Sequence, residues 1–116
     1  MYSIVECPDI VVAAAATESN PIRASVVYDD ADVICIMAPT GAEASTIQVC
    51  DDPDAAVPVW VALQDSTPAD VAGPAAGKAR FYTIPAKAFR LKYGAGVAAE
   101  RTYKVNKRMT FANQAF

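Results

Sequence analysis

Residues 101–111 read RTYKVNKRMTF, and their side chains alternate between apolar and polar. From residue 102 onward, the odd positions Tyr103, Val105, Met109 and Phe111 are apolar, whereas the even positions are polar, and Lys107 is the exception. Apolar side chains at every second position are typical of a strand with one buried and one exposed face. This stretch therefore predicts a strand near the end of the chain.

The same period of two recurs earlier in the chain. It is clear at residues 89–93, where apolar side chains alternate with Arg90 and Lys92, and at residues 57–63, where valines alternate around Trp60. Less regular strand candidates lie at residues 2–6, 10–15, 24–28, 32–37, 46–50 and 79–84. About nine short strands are expected in all.

Proline limits the helix content. The 8 prolines recur along nearly the whole length and leave few windows long enough for a helix. One helical turn near residues 40–44 is all that we expect. Short strands separated by Pro, Gly, Asp and Ser predict an all-β chain, an antiparallel β-sandwich or a jelly-roll-like small barrel with minimal helix. The 116 residues contain no repeat or linker, so one domain over residues 1–116 is predicted.

The residue types exclude most enzyme designs. The chain has no histidine, which removes Ser-His-Asp and Cys-His catalysis and His-ligated zinc. Residues 73–79, GPAAGKA, have three residues between the glycines where a phosphate-binding loop has four. The 3 cysteines form no C-x-x-C pair and are expected to be buried thiols rather than a metal or redox site. We therefore predict that the protein is not an enzyme and has no cofactor.

Charge divides unevenly along the chain. Twelve of the 13 acidic residues precede residue 71, and nine of the 10 basic residues follow it. The two halves could neutralise each other inside the fold or dock onto other chains. The net charge is -3 and the cations are spread over several strands, so nucleic acid is not an expected partner.

Two acidic clusters and three aromatic residues are candidate binding groups. The clusters, Asp29, Asp30 and Asp32 and then Asp51, Asp52 and Asp54, are weak candidates for calcium ligands, and solvated turns are the favoured interpretation. Trp60, Tyr82 and Tyr103 could form a stacking platform for a sugar or pack in the core. Trp60 lies on the opposite strand face from its neighbouring valines, so it is either the centre of the other layer or an interface anchor.

No targeting segment is expected. The first ten residues contain Glu6 and Asp9 but no Lys or Arg, unlike a secretory signal. The longest apolar run, residues 10–16, is far below the roughly 18 to 20 residues of a membrane-spanning helix. We expect a soluble protein that does not enter a membrane.

The order of elements over residues 46–108 carries a family resemblance. IQVxDD at residues 47–52 is followed by WVxL at 60–63, FYxIPA at 81–86, FRLKY at 89–93 and AAERTY at 98–103. This order resembles that of the head decoration, or cement, proteins of tailed bacteriophages, which have β-sandwich or jelly-roll folds. One departure is residues 51–56, DDPDAA, where such proteins usually have a glycine-rich turn.

The resemblance implies a function and a partner. A decoration protein binds the major capsid protein at subunit junctions on the outside of an assembled head and stabilises the shell against internal DNA pressure. It would be made in the host cytoplasm and end on the capsid surface of the virion. The alternatives are a carbohydrate- or receptor-binding module of a phage tail or fibre, and a head-to-tail connector.

Two sets of residues are candidates for contacts with partners. The N-terminal strand has no Lys and little charge, so Tyr2 and Ile4 are expected at an unguarded sheet edge that forms a homodimer or homotrimer or docks on the capsid. The second set consists of Trp60 and the strand cations, which could face an acidic capsid or a neighbouring subunit: Arg90, Lys92, Lys104 and Arg108.

Overall fold

The computed structural model describes residues 2–23, 31–84 and 86–110, and in this part of the chain it has β-strands and no helix. The strands are β1 (Tyr2–Val12), β2 (Ile22–Arg23), β3 (Ala31–Met37), β4 (Ser45–Cys50), β5 (Val61–Ala62), β6 (Ala79–Tyr82), β7 (Ala88–Tyr93) and β8 (Arg101–Thr110).

The strands form two antiparallel four-stranded sheets. Sheet I has the order β1-β8-β3-β6, and sheet II has the order β2-β7-β4-β5. The first four strands thus pair with the last four in reverse order, β1 with β8, β2 with β7, β3 with β6 and β4 with β5. Eight strands in two sheets with this connectivity form a jelly roll. The predicted all-β antiparallel sandwich is confirmed.

Alternating sequence produces the two faces of each sheet. In β8, Tyr103 and Val105 are buried whereas Lys104 and Arg108 are exposed, as the period of two predicts. In β7, Phe89, Leu91 and Tyr93 are buried and the basic residues between them point away from the core.

The core lies between the two sheets. Sheet I contributes Ile10, Val12, Ile34, Ile36, Tyr103 and Val105, and sheet II contributes Ile47, Phe89, Leu91 and Tyr93. All of these side chains are 0–2 % exposed. The hydroxyl groups of Tyr93 and Tyr103 hydrogen-bond to each other across the sheets. Burial raises the pKa of the Tyr93 hydroxyl above its usual range, so this pair stays neutral.

The structure differs from the predicted strands in three places. The strand candidates at residues 2–6 and 10–15 form one strand that ends at Val12, because a register shift between Cys7 and Ile10 takes up the extra residue around Pro8. Residues 13–15 lie outside it, in the turn that follows. The strand expected at 57–63 is reduced to Val61–Ala62, and Pro58 cannot donate a backbone hydrogen bond there. β2 was not predicted.

Two smaller expectations have different outcomes. The strand expected at residues 24–28 lies outside the described residues. Near residues 40–44 the chain makes one turn, in which the Ala42 amide donates to the Pro39 carbonyl at 3.1 Å, and no helix forms there.

The jelly-roll order brings the acidic and basic halves of the chain together. Except for β4 with β5, each strand pair in the two sheets joins a strand before residue 71 to a strand after it. Of the five side-chain ion pairs in the described residues, four join an acid before residue 71 to a base after it: Glu18–Arg90, Glu18–Lys92, Glu43–Arg101 and Asp9–Lys104. Much of the charge division is therefore neutralised within the fold.

Candidate interaction surface

The outer face of sheet I carries exposed apolar side chains. Ile4 on β1 is 60 % exposed and Phe81 on β6 is 77 % exposed, at the two edges of the sheet. The half-buried Val33 and Cys35 of β3 lie between them. We call these four residues the sheet I patch. Exposed apolar side chains grouped on one face mark interaction sites more often than apolar side chains scattered singly over a surface.

Strand register explains how the patch is assembled. Ile4 pairs with Arg108, which pairs with Val33, so these three form one row across the sheet. Cys35 pairs with Phe81 on one side and with Asn106 on the other, which gives the next row. The two rows line a shallow depression of about 440 Å³. A groove with apolar walls and a cationic rim fits a protein surface that presents apolar and acidic side chains.

Lys104 lies on the same outer face, one row further along the sheet. Its ammonium is 3.0 Å from the Asp9 carboxylate, and this hydrogen bond raises the pKa of Lys104 above its ordinary value. The Lys104 side chain remains 58 % exposed. It keeps its charge at the surface and can meet a partner without losing the pair.

The outer face of sheet II is covered by interactions within the chain. The Arg90 guanidinium is 3.0 Å from the Glu18 carboxylate and donates to Gln48 at 2.9 Å. The Trp60 ring lies over the same guanidinium, with its centroid 4.4 Å from the Arg90 Cζ. Lys92 donates to Thr17 at 3.4 Å, and its ammonium is 4.0 Å from Glu18.

These contacts exclude one of the two roles that the sequence left open for Trp60, the centre of a core layer or an interface anchor. Trp60 is half-buried on the outer face of sheet II, so it is not the centre of a core layer. The stacking with Arg90 is a cation–π contact, and it orders the ring against the sheet. A role as an interface anchor stays a prediction.

The four candidate cations do not form one surface. Lys104 and Arg108 alternate with core residues of β8 and therefore lie on the outside of sheet I. Arg90 and Lys92 alternate with core residues of β7 and lie on the outside of sheet II. Because the core separates the two sheets, no flat partner can contact all four at once.

A second apolar surface lies beside β5. Val57, Val59 and Val61 are 81 %, 71 % and 55 % exposed. The segment around them, residues 51–70, contains five aspartates and no basic residue. The valines were expected to alternate as a strand, and instead they face solvent along an irregular edge segment.

Two of the five aspartates, Asp52 and Asp65, accept hydrogen bonds from nearby backbone amides. Asp52 accepts a hydrogen bond from the Asp54 amide at 3.2 Å, and Asp54 pairs with Arg23 at 2.5 Å. Asp65 accepts from the Thr67 hydroxyl and from the Thr67 and Ala69 amides, and these bonds lower its pKa to about 2. Side chains that satisfy local backbone donors are the ordinary use of Asp in turns.

The calcium candidates that the structure describes do not gather into a metal site. Asp51 is exposed beside Asp52, Asp32 lies in β3, and Asp29 and Asp30 lie outside the described residues. Within residues 2–23, 31–84 and 86–110, no three acidic or cysteine residues come together as ligands. Cys7 and Cys50 are buried and Cys35 is half-buried, all three as free thiols.

The aromatic platform for a sugar does not form. Tyr82 and Tyr103 are both buried in the core, while Trp60 lies on the outside of sheet II. The Tyr82 hydroxyl donates to the Ala72 carbonyl at 2.8 Å, and burial raises its pKa to about 12. Two rings in the core and one on the outer surface cannot bind the same pyranose.

Sequence reasoning missed Phe81 and Asn20. Two aromatic residues stand together at 81 and 82, and the pattern does not show which of them points outward. Asn20 caps the edge of β1. Its side-chain oxygen accepts from the Val11 amide at 2.7 Å, and its backbone amide donates to the Val11 carbonyl at 3.1 Å. The Asn-Pro pair at 20–21 signals a turn but not its partner.

Comparisons with protein-family models, curated proteins and solved structures found no match. No helix in the part of the chain that the structure describes is long and apolar enough to span a membrane.

Proposed function

We propose that this protein is a structural, non-enzymatic component of a phage virion that binds the outer surface of the assembled head and stabilises it. Its partner is the major capsid protein, and it is made in the host cytoplasm before it attaches to the capsid. The support is the resemblance over residues 46–108 together with the jelly-roll fold.

The observation that carries the proposal is the difference between the two outer faces. On sheet II, Glu18, Gln48 and Trp60 engage Arg90. On sheet I, Ile4 and Phe81 expose apolar surface beside cations. A protein that acts by covering another surface needs one face of the second kind, and it needs no catalytic group.

Stabilisation would follow from binding preference alone. A protein that binds the assembled shell better than free subunits shifts the equilibrium toward the shell. Many weak contacts repeated over a lattice add up to a large effect, because neighbouring copies raise the effective concentration of each contact. We also propose that the protein is a homo-oligomer, a dimer or a trimer.

Electron microscopy of purified particles with and without the protein tests the function. We expect density over the whole capsid surface and earlier rupture on heating when the protein is missing. Density as a ring at one vertex would indicate a connector, and density on tail fibres would indicate a receptor-binding module. Either result, or equal resistance of both particles to heat and chelators, contradicts the proposal.

A pair of matched variants tests the face. Phe81→Glu places a charge in the sheet I patch, and Val59→Glu does the same on the apolar surface beside β5, where exposure is similar. We expect Phe81→Glu to weaken the affinity for capsids at least tenfold, about 1.4 kcal/mol, and Val59→Glu to leave that affinity unchanged. The reverse pattern would place the contact on the valine surface.

A further inference from the structure

The described chain has four edge strands, and only one of them is long and unguarded. β2 and β5 have two residues each, and β6 has four with exposed Lys78 and Arg80 at its start. β1 has eleven residues, lies at the edge of sheet I and contains no Lys or Arg. An edge of this kind presents free backbone donors and acceptors to any extended strand.

The second half of this edge is already closed. The side chain and backbone of Asn20 bind both backbone groups of Val11, and the register shift between Cys7 and Ile10 bends the strand. Pro8 has no amide hydrogen to offer. The open stretch is therefore residues 2–7, about 20 Å of strand, and no described segment of the chain pairs with it on that side.

We propose that the occupant of this edge is residues 2–7 of a second copy, paired antiparallel about a two-fold axis with Ile4 opposite Ile4. This pairing deepens the homo-oligomer part of the proposed function and rests on it. The second copy offers a strand of the same length, which likewise contains no Lys or Arg that would oppose pairing. The result is one sheet that continues through both copies, as in strand addition to a sheet edge.

Charge and sterics select the register. Parallel pairing would set Glu6 opposite Glu6, and like charges directly opposite each other are destabilising. Antiparallel pairing centred nearer Pro8 would bring Glu6 opposite Asp9 and would require the missing proline amide. Centring on Ile4 sets Glu6 opposite Tyr2 and keeps the two carboxylates four positions apart, roughly 13 Å along the strand.

The pairing would also cover the exposed side chain at its centre. Opposite residues in an antiparallel pair share a face, with Cβ atoms about 4.5–5.5 Å apart, so each Ile4 would shield the other. Phe81 lies on the far edge of sheet I and would stay exposed. Six residues of edge form a small interface, so we expect a weak dimer that dissociates on dilution.

Sedimentation velocity over a range of concentrations tests the dimer. We expect wild type to shift from monomer to dimer as concentration rises, Ile4→Lys to stay monomeric and Phe81→Lys to behave as wild type. Both substitutions place a lysine on an exposed apolar position of the same sheet face, so they differ only in the edge that they affect. A monomeric wild type, or equal loss of association in both variants, overturns the proposal.

A cross-link tests the register. In a Cys35→Ser background, Ile4→Cys should form a disulfide-linked dimer under mild oxidation, because opposite Cα atoms about 4.5–5.5 Å apart lie within disulfide range. Phe81→Cys in the same background should not form one. Absence of the Ile4→Cys dimer, or equal cross-linking of both variants, contradicts the two-fold.

The proposed function and the dimer fail separately. Capsid occupancy of wild type reports on head binding, whereas sedimentation of wild type without capsids reports on self-pairing. Wild type that dimerises but never appears on particles overturns the function alone. Wild type that decorates particles but stays monomeric at every concentration overturns the dimer alone.

Discussion

Gly73 shows how closely the chain packs at a single residue. It lies beside β4, where its amide donates to the Ser45 carbonyl at 2.9 Å. A Cβ at this position would overlap the Ser45 hydroxyl and come 3.4 Å from the Leu91 side chain. Ser45 and Leu91 are both buried, so neither can move away freely.

We therefore expect Gly73→Ala to lower the free energy of unfolding by about 1–3 kcal/mol, the usual cost of overpacking. Urea denaturation measures it. Gly94→Ala is the matched control, because no atom lies within 4 Å of a Cβ there. Ser45→Ala in combination with Gly73→Ala should recover part of the loss. A neutral Gly73→Ala would contradict the close approach.

Glu43 is the second residue whose environment makes a prediction. Its carboxylate is 2.8 Å from Arg101 and accepts the Ala98 amide at 2.7 Å. The Arg101 hydrogen bond, followed by the Ala98 bond, lowers the pKa of Glu43 from 4.5 to about 2. A carboxylate with a lowered pKa stabilises the folded state above its unfolded pKa, and that stabilisation is lost as the pH falls through the folded pKa.

Glu43→Gln should therefore lower the melting temperature at neutral pH. The difference from wild type should begin to shrink below the unfolded pKa of about 4.5 and disappear as the pH falls through the folded pKa of about 2. Thermal unfolding followed by circular dichroism across this range is the measurement. Glu100→Gln, at an exposed position, is the control. A difference that stays constant with pH would show that packing, not charge, explains the effect.

At the scale of elements, β1 depends on a cap from outside the sheets. The Asn20 side chain holds the Val11 amide at 2.7 Å and reaches the Asp9 carbonyl at 3.5 Å. Asn20→Ala should cost about 1 kcal/mol, as for one net hydrogen bond. Asn20→Asp keeps the acceptor oxygen and should retain most of that stability. The midpoint of urea unfolding measures the stability of each variant, provided that the dependence on urea concentration is unchanged. Equal losses of stability in the two variants would contradict a role for the side-chain oxygen of Asn20.

The elements differ in how far their sequence determines them. β7 and β8 are strongly alternating, and their bounds, faces and cations follow from the sequence. The segment before β5 alternates as well, yet its valines are exposed. β5 is short because β4 shares its backbone hydrogen bonds between two segments. The Ile47 carbonyl accepts from the Leu63 amide, and the Ile47 amide donates to the Val71 carbonyl.

Contacts between distant segments explain the rest of the difference. β2 is only Ile22–Arg23, and its two residues form a strand because β7 offers an edge. The partners of Arg90 come from Glu18, Gln48 and Trp60, which are far apart in sequence. Local periodicity contains no information on such pairs, so the candidate cations could be predicted but their grouping on two faces could not.

At the scale of the whole molecule, the position of the cations predicts the salt dependence of attachment. Lys104 and Arg108 lie beside the sheet I patch, and Arg90 and Lys92 lie on the outer face of sheet II. Exposed charge pairs are screened within about 10 Å at 0.1 M salt. If sheet I meets an acidic capsid surface, attachment weakens as salt rises, and Lys104 and Arg108 cause that dependence.

Two double variants separate the faces. Lys104→Glu with Arg108→Glu should lower capsid occupancy at low salt and flatten its salt dependence. Arg90→Glu with Lys92→Glu should lower thermal stability, because it sets new acids beside Glu18 and removes the cation under Trp60, while the folded protein still attaches as wild type does. Single variants are uninformative, because one exposed pair contributes only about 0–1 kcal/mol.

Occupancy is measured at about 0.02 M and 0.5 M salt, where screening lengths differ several-fold, with circular dichroism as the check on folding. Arg108 is exposed and lies in the row of Ile4, so a carboxylate there repels an acidic partner without disturbing the core. Wild-type occupancy by the folded sheet I variant at both salt concentrations would exclude this face from the contact. Loss of attachment in the folded sheet II variant alone would assign the contact to the opposite side of the jelly roll.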